Sequence, residues 1–192
     1  MARSTVIADT AQSLVQLLRE EMEEDLIAQP EQIGLGHPAD QADLRLSLYI
    51  YNVRESGEFR HTQMVSRGTD QIQHPPITLE LLFLLTAKSN AEVAYRAIDE
   101  AQILGRAMQI LYDHSIIRGS RLVGTLAERN EEVRIKLDNI PRDIMGRIWN
   151  FPNIPYRLSV GYSVGPVYID STRIKTTKRV LERNMSIEED DG

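Results

Sequence analysis

Four histidines and a handful of carboxylates are the residues of this chain with the most obvious chemistry to offer. His37, His61, His74 and His114 fall at no spacing that would let two of them share a metal. None sits in a pattern such as HExxH, where a single helical turn puts both imidazoles on one face. They read as structural or surface residues. Asp9, Asp99, Glu100 and Asp113 could in principle pair as general acid and base, yet each lies at a polar position of a predicted helix, where a solvated charge is the ordinary occupant. No serine stands in a nucleophile elbow, and Gly34-Leu35-Gly36 lacks both the third glycine and the strand-then-helix setting of a phosphate cradle. Tyr49, Tyr51, Tyr156, Tyr162 and Tyr168 lie on predicted strands and read as sheet packing. No catalytic, metal-ligating or cofactor-binding residue is assigned, and no enzymatic activity or cofactor is expected. One group keeps a binding role. Arg173, Lys175, Lys178, Arg179 and Arg183 lie close together ahead of the acidic terminus Glu188-Glu189-Asp190-Asp191. Opposite charge blocks of this kind make a solvated arm that orders against a partner.

Composition narrows the partners. The chain has 192 residues, enough for one domain with an appended arm, burying about 70% of its unfolded surface without staples. It has no cysteine, so disulfides, thiolate metal sites and thiol redox chemistry are excluded. A net charge of -6 argues against tracking a phosphate backbone, which rests on clustered Lys and Arg, so nucleic acid is not an expected partner. The first residues carry one basic side chain and no apolar stretch of signal-peptide length, so no Sec export is implied. The longest run of large apolar residues, Leu81-Leu82-Phe83-Leu84-Leu85, is far short of the roughly 20 needed to cross a bilayer, and no membrane insertion is expected.

That run is a core element instead. Pro75-Pro76 ahead of it blocks a helical approach, and Ser89-Asn90-Ala91-Glu92 behind it has the form of a capping box. The stretch between is predicted to be one buried strand, with Leu79, Leu81, Phe83 and Leu85 on one face and Thr78, Leu82, Leu84 and Thr86 on the other. Both faces are apolar, so the strand should be central and covered on both sides. Upstream, Val6, Ile7, Ala11, Leu14, Leu17, Leu18 and Met22 recur at helical spacing, predicting an amphipathic helix over 5–25 with an acidic, fraying last turn. Residues 29–42 lack period and form a long connection with a short edge segment around Ile33 to Leu35. Leu44 to Val53 alternates strictly and predicts a strand. Residues 54–73 are a polar excursion that leads back, antiparallel, into the central strand. After the capping box, a broad apolar stripe from Val93 to Leu111 predicts a helix that starts at about Ser89, ends near His114 and lies across the sheet. Residues 115–130 are a connection, Val133, Ile135 and Leu137 mark a short strand, and Pro141 with Asp143 opens a short helix ending near Trp149. The stretch 155–170 is the longest strand signal. Gly165-Pro166 should bend or bulge it and place it at an edge or an end, because proline lacks the donor a central ladder needs. The fold class is therefore α+β: a single layered domain over residues 1–170, a mostly antiparallel sheet of about four strands covered by helices, with a charged C-terminal arm over 171–192. The start of that arm, Ser171 to Thr177, alternates weakly and could add an edge strand to a partner.

Taken together, several of these segments resemble a known family. PPITLELLFLLTA (75–87), a helix ending LGRAMQILYDHSII (104–117), VRIKLDNI (133–140) with a short helix ending IW, and PYRLSVGYSVGPVYIDS (155–171) are similar in order and spacing to the cap, or tail-terminator, proteins of extracellular contractile injection systems. These are phage-tail-like particles. IADTAQSLVQLL (7–18) resembles that family's first helix, so the resemblance covers roughly residues 5–171. It implies a structural subunit that assembles as a homo-oligomer, a six-fold ring on the tube end distal to the baseplate. There it would stop growth of the inner tube protein and join tube to sheath protein. The resemblance also implies assembly in the bacterial cytoplasm and membership of a particle released outside the cell. Longer relatives carry a further domain where this chain has its charged arm, through which it would grip the sheath. A phage tail-completion or connector protein is the nearest alternative. A small ligand-binding or hydrolase domain is the rival from another class, and would need a buried pocket with convergent polar groups.

Overall fold

The apolar run Leu81 to Leu85 forms the middle of a strand, and every one of its side chains is buried. The computed structural model describes residues 4–37, 40, 43–58, 63–68, 71–150 and 154–176. His61 and the arm residues Lys178, Arg179 and Arg183 lie outside that set. In chain order the elements are α1 (Val6–Glu21), β1 (Ile33–Leu35), β2 (Leu46–Glu55), β3 (Val65–Arg67), β4 (Gln71–Gln73), β5 (Ile77–Ala87), α2 (Val93–Asp113), β6 (Ile116–Arg118), α3 (Gly124–Glu128), β7 (Glu132–Asp138), α4 (Arg142–Ile148), β8 (Ser159–Ile169) and β9 (Ile174–Thr176).

Six strands make the main sheet in the order β1-β2-β5-β8-β7-β6. All neighbours are antiparallel except β1 and β2. The buried strand β5 takes an interior place, as its two apolar faces require. The sheet is larger than the four strands that alternation announces. β1 is the short edge segment expected at Ile33 to Leu35, and β6 is new: residues 115–130 hold this strand, a 3-10 turn at Gly119–Arg121 and α3, where a plain connection is expected. A three-residue strand is too short to show a period. Only Ile117 of β6 is buried.

Pro166 overturns a second expectation, because β8 lies between β5 and β7 rather than at an edge. The ladder makes room for it. Leu79 pairs with Val167 and Leu81 with Val164, so Gly165 and Pro166 together face Glu80 in a bulge. Pairing with β7 runs only as far as Gly165. The missing N–H therefore falls where neither neighbour needs a donor. Beyond this bulge the β5–β8 ribbon continues: Gln73 of β4 pairs with Ile174 of β9, and β3 joins β4 to complete a second, three-stranded sheet. The polar excursion 54–73 thus returns through a hairpin.

One face of the main sheet carries the principal core. Leu14, Leu17 and Leu18 of α1 and Ile103, Leu104, Ala107, Ile110 and Leu111 of α2 pack with Leu46, Leu48, Leu81, Phe83 and Leu85. Truncating any of these leucines to alanine costs about 2–5 kcal/mol. The other face is covered too. Leu82 and Leu84 are buried there, and the chain ahead of α4 crosses so closely that a Cβ on Gly161 would lie 2.5 Å from Ile140 Cγ1 and 2.7 Å from the Asp138 carbonyl oxygen.

Two expectations about α2 are corrected. It begins at Val93, not Ser89, and no capping box forms. The Ser89 hydroxyl accepts from the Ala91 N–H at 3.0 Å and donates to the Asp99 carboxylate instead. Only the second half of α2 lies on the sheet: residues 92–98 are all exposed. The apolar stripe is therefore continuous in the sequence but divided in space.

Candidate assembly surface

The carboxylates singled out by type turn out to be anchors. Asp9 is buried between α1 and α3, where its Oδ2 accepts from the Thr125 N–H at 3.0 Å and the Thr125 hydroxyl at 2.6 Å. It satisfies an N–H at the start of α3 that no backbone carbonyl can reach. Asp99 and Glu100 are half-buried, contrary to the solvated-face reading. Asp99 accepts from Arg45 Nη2 at 2.7 Å, and Arg45 also donates to the Leu26 carbonyl. Glu100 accepts from the Ser89 N–H at 3.1 Å and from Arg157 Nη1 at 3.2 Å. These bonds bind the turn after β5, the turn after α1 and the segment before β8 to the middle of α2. Only Asp113 of the four is exposed as expected.

The histidines and tyrosines likewise serve packing. His37 stacks edge-on against Tyr49 at 4.7 Å, and His114 Nε2 lies 3.4 Å from Glu21. Among the described residues no three His, Asp or Glu side chains come together as a metal site. Tyr51 donates to Asp138 at 3.2 Å; burial, and then the Asp138 carboxylate, push its phenol up to about 12. Burial alone pushes Tyr162 up to about 12.

A polar cavity of about 300 Å³ opens where the Gly165-Pro166 bulge exposes Glu80, with Arg54, Arg134, Lys136 and Ser163 in its wall. Its charges are matched internally. Arg54 pairs with Glu80 at 2.8 Å, Arg134 with Glu132 at 3.1 Å and Lys136 with Glu58 at 4.0 Å. Burial would raise the Glu80 carboxyl, but hydrogen bonds from Arg54 and Ser163 outweigh it and the group titrates below the ordinary carboxylate range. Ser163 spends its hydroxyl on Glu80, and among the described residues no histidine lines the wall to activate it. The described wall of the cavity is charge-balanced.

Among the described residues, two apolar patches lie at opposite ends of β5, besides scattered exposed apolar side chains such as Leu35, Tyr112 and Ile116. At one end the free first turns of α2 expose Val93, Tyr95 and Ile98, at 81%, 64% and 60% of their full area. At the other, Val65 and Ile174 of the small sheet are exposed with Met64 beside β3 and Ile77 at the start of β5. The arm begins there. Arg173 and Lys175 are exposed on or beside β9, while Lys178, Arg179 and Arg183 lie outside the described residues. The strand expected over Ser171 to Thr177 forms at Ile174–Thr176, but it pairs with β4 of its own chain, and His74 N–H donates to the Arg173 carbonyl at 3.1 Å. Hydrogen bonding therefore runs past the 170/171 boundary.

A family model described as the Pvc16 N-terminal domain matches residues 9–183. The chain belongs to that family. No curated protein matches it. The Pvc16 N-terminal domain seen here shares its fold with the sheath/tube terminator, in the extended state, of the extracellular contractile injection system PVC. That superposition has a TM-score of 0.63 and 16% identity, over 96% of this chain and 64% of the other. The tube-terminating cap of the anti-feeding prophage is as similar, with a TM-score of 0.62 and 16% identity over 97% of this chain and 62% of that one. The chain spans less than two thirds of the length of either terminator. The α+β expectation and the resemblance to caps of contractile injection systems both hold.

Proposed function

We propose that this protein is a structural, non-enzymatic cap of a contractile phage-tail-like particle, forming a ring that terminates the inner tube and joins it to the sheath at the end distal to the baseplate. The observation that carries this reading is the fold shared, over nearly the whole chain, with two proteins that end such tubes. The site chemistry agrees, since the polar cavity at the bulge is internally neutralised and the free surface is apolar and charged in patches, which suits assembly. The ring is a hexamer and is built in the cytoplasm before the particle leaves the cell. The basic arm, Arg173, Lys175, Lys178, Arg179 and Arg183, holds the cap to acidic surfaces within the particle, the sheath among them.

Deleting the gene is the direct test. Electron microscopy of the deletion strain should show baseplates with tubes of irregular length or with detached sheaths. Uniform, intact particles would remove the reading. Loss of mature phage tails in a prophage-carrying strain, with contractile particles unaffected, would favour a tail-completion protein.

A further inference from the structure

The two uncovered ends are complementary to each other. Strand β5 has 11 residues and so spans about 35 Å at roughly 3.3 Å per residue. The small sheet leaves from its first residue, and α2 rises just beyond its last. At the small-sheet end the apolar residues Val65, Ile77 and Ile174 are accompanied by Arg173 and Lys175, and among the described residues neither cation forms an ion pair. At the α2 end Val93, Tyr95 and Ile98 are accompanied by the exposed acids Glu24, Asp25 and Glu92. Arg45 reaches from the Leu26 carbonyl to Asp99, so the acidic turn after α1 and the body of α2 belong to the same end. The exposed cation there, Arg96, is turned back onto the Ala91 carbonyl. Exposed Glu55 also lies at the small-sheet end but is engaged within the structure, so the charges left over are basic at one end and acidic at the other.

We infer that a second copy of this chain covers each end, the small sheet of one copy docking on the free turns of α2 of the next. The contact is heterologous, so copies joined through it form a ring where the rotation between neighbours closes, and it rests on the ring reading given above. It assigns Arg173 and Lys175 to the neighbouring copy, leaving the rest of the arm for the sheath. Apolar side chains supply the affinity, and the opposite charges set the direction in which copies join.

The absence of cysteine makes the contact directly testable in the full chain. Ile98→Cys and Ile174→Cys are placed in separate chains, each checked by its thermal melt, and oxidised singly and mixed. Disulfide-linked dimers should form in the mixture and not with either variant alone, and a chain carrying both should give a ladder that ends at a closed ring. Arg173→Glu with Lys175→Glu should lower the yield at least about tenfold, and Glu92→Lys with Asp25→Lys in the partner should restore it. Cross-linking of Ile98→Cys with itself, as fast as in the mixture, would overturn the inference by showing that α2 meets α2. Yields no higher than for the exposed control pair Ala28→Cys and Ser120→Cys, in particles that still carry a ring, would also overturn it and give these ends to tube or sheath. A ladder that grows without closing would sustain the docking and remove the ring.

Discussion

Asp9 and Gly124 show how closely one side chain and one backbone torsion depend on each other. Gly124 has φ +57°, and a Cβ there would fall 2.6 Å from the Asp9 carboxyl carbon. The acid can approach the start of α3 only because the residue ahead of Thr125 has no side chain and can adopt the left-handed region. Gly124→Ala should therefore destabilise the protein by about 1–3 kcal/mol through strain and displacement of Asp9. Asp9→Ala should cost about 1–2 kcal/mol by leaving the Thr125 amide without its acceptor. Chemical denaturation of the two single variants and the double variant checks this. Because both act on one contact, the double variant should be less destabilised than the sum.

At the scale of elements, the strand that opens the arm is held by backbone pairing more than by burial. β9 has three residues, all exposed, and pairs only with β4. A chain ending at Asp170 should keep the main sheet, because Phe83, Leu81 and Val164 lose no neighbour in the principal core, and its melt should shift by a few degrees at most. Hydrogen exchange gives the local readout: the amides of Gln71 to Gln73 should lose protection while those of Phe83 and Leu85 keep it. A collapsed melt would mean that the small sheet supports the main one.

For the whole molecule, the pH dependence of stability follows from groups that do not all share a sign. Tyr51, Tyr162 and Tyr168 have phenols raised by burial, the first two from 10.0 to about 12. Their folded state favours the neutral form, so this stability is complete below about pH 10 and is lost as pH rises towards 12. Glu80 is lowered, so its contribution is present at neutral pH and fades as acid protonates it. Glu131 is raised, chiefly by burial, with Arg129 opposing, and regains stability on acidification. The two acids oppose each other while the tyrosines add. Melts should fall more steeply between pH 10 and 12 than between pH 6 and 4, and Tyr162→Phe should flatten the alkaline limb with little effect at pH 7.

Sequence alone determined the elements long enough to show a period and the class of chemistry the chain lacks. α1, β2, β5, β7 and β8 were legible because burial on one face, or on both, writes itself into side-chain type over seven residues or more, and α4 was legible from Pro141 and Asp143 at its start, although none of its residues is buried. β3, β4 and β6 were not, since three residues carry no period, and β9 was expected as a strand but not as the partner of β4 in its own chain. Pro166 was misread for a related reason: a proline's cost depends on whether a neighbouring carbonyl faces it, and only the bulge at Glu80 decides that. Asp9, Asp99 and Glu100 looked like solvated charges because helical phase gives direction and not what lies there. The tertiary structure put Thr125, Arg45 and Arg157 in their way. The stripe on α2 was visible from Val93 to Leu111, but only its second half packs on the sheet, where Ile103, Leu104, Ala107, Ile110 and Leu111 are buried. Where a helix starts relative to the sheet it crosses is a tertiary property that no local pattern encodes, and here it leaves Val93, Tyr95 and Ile98 uncovered.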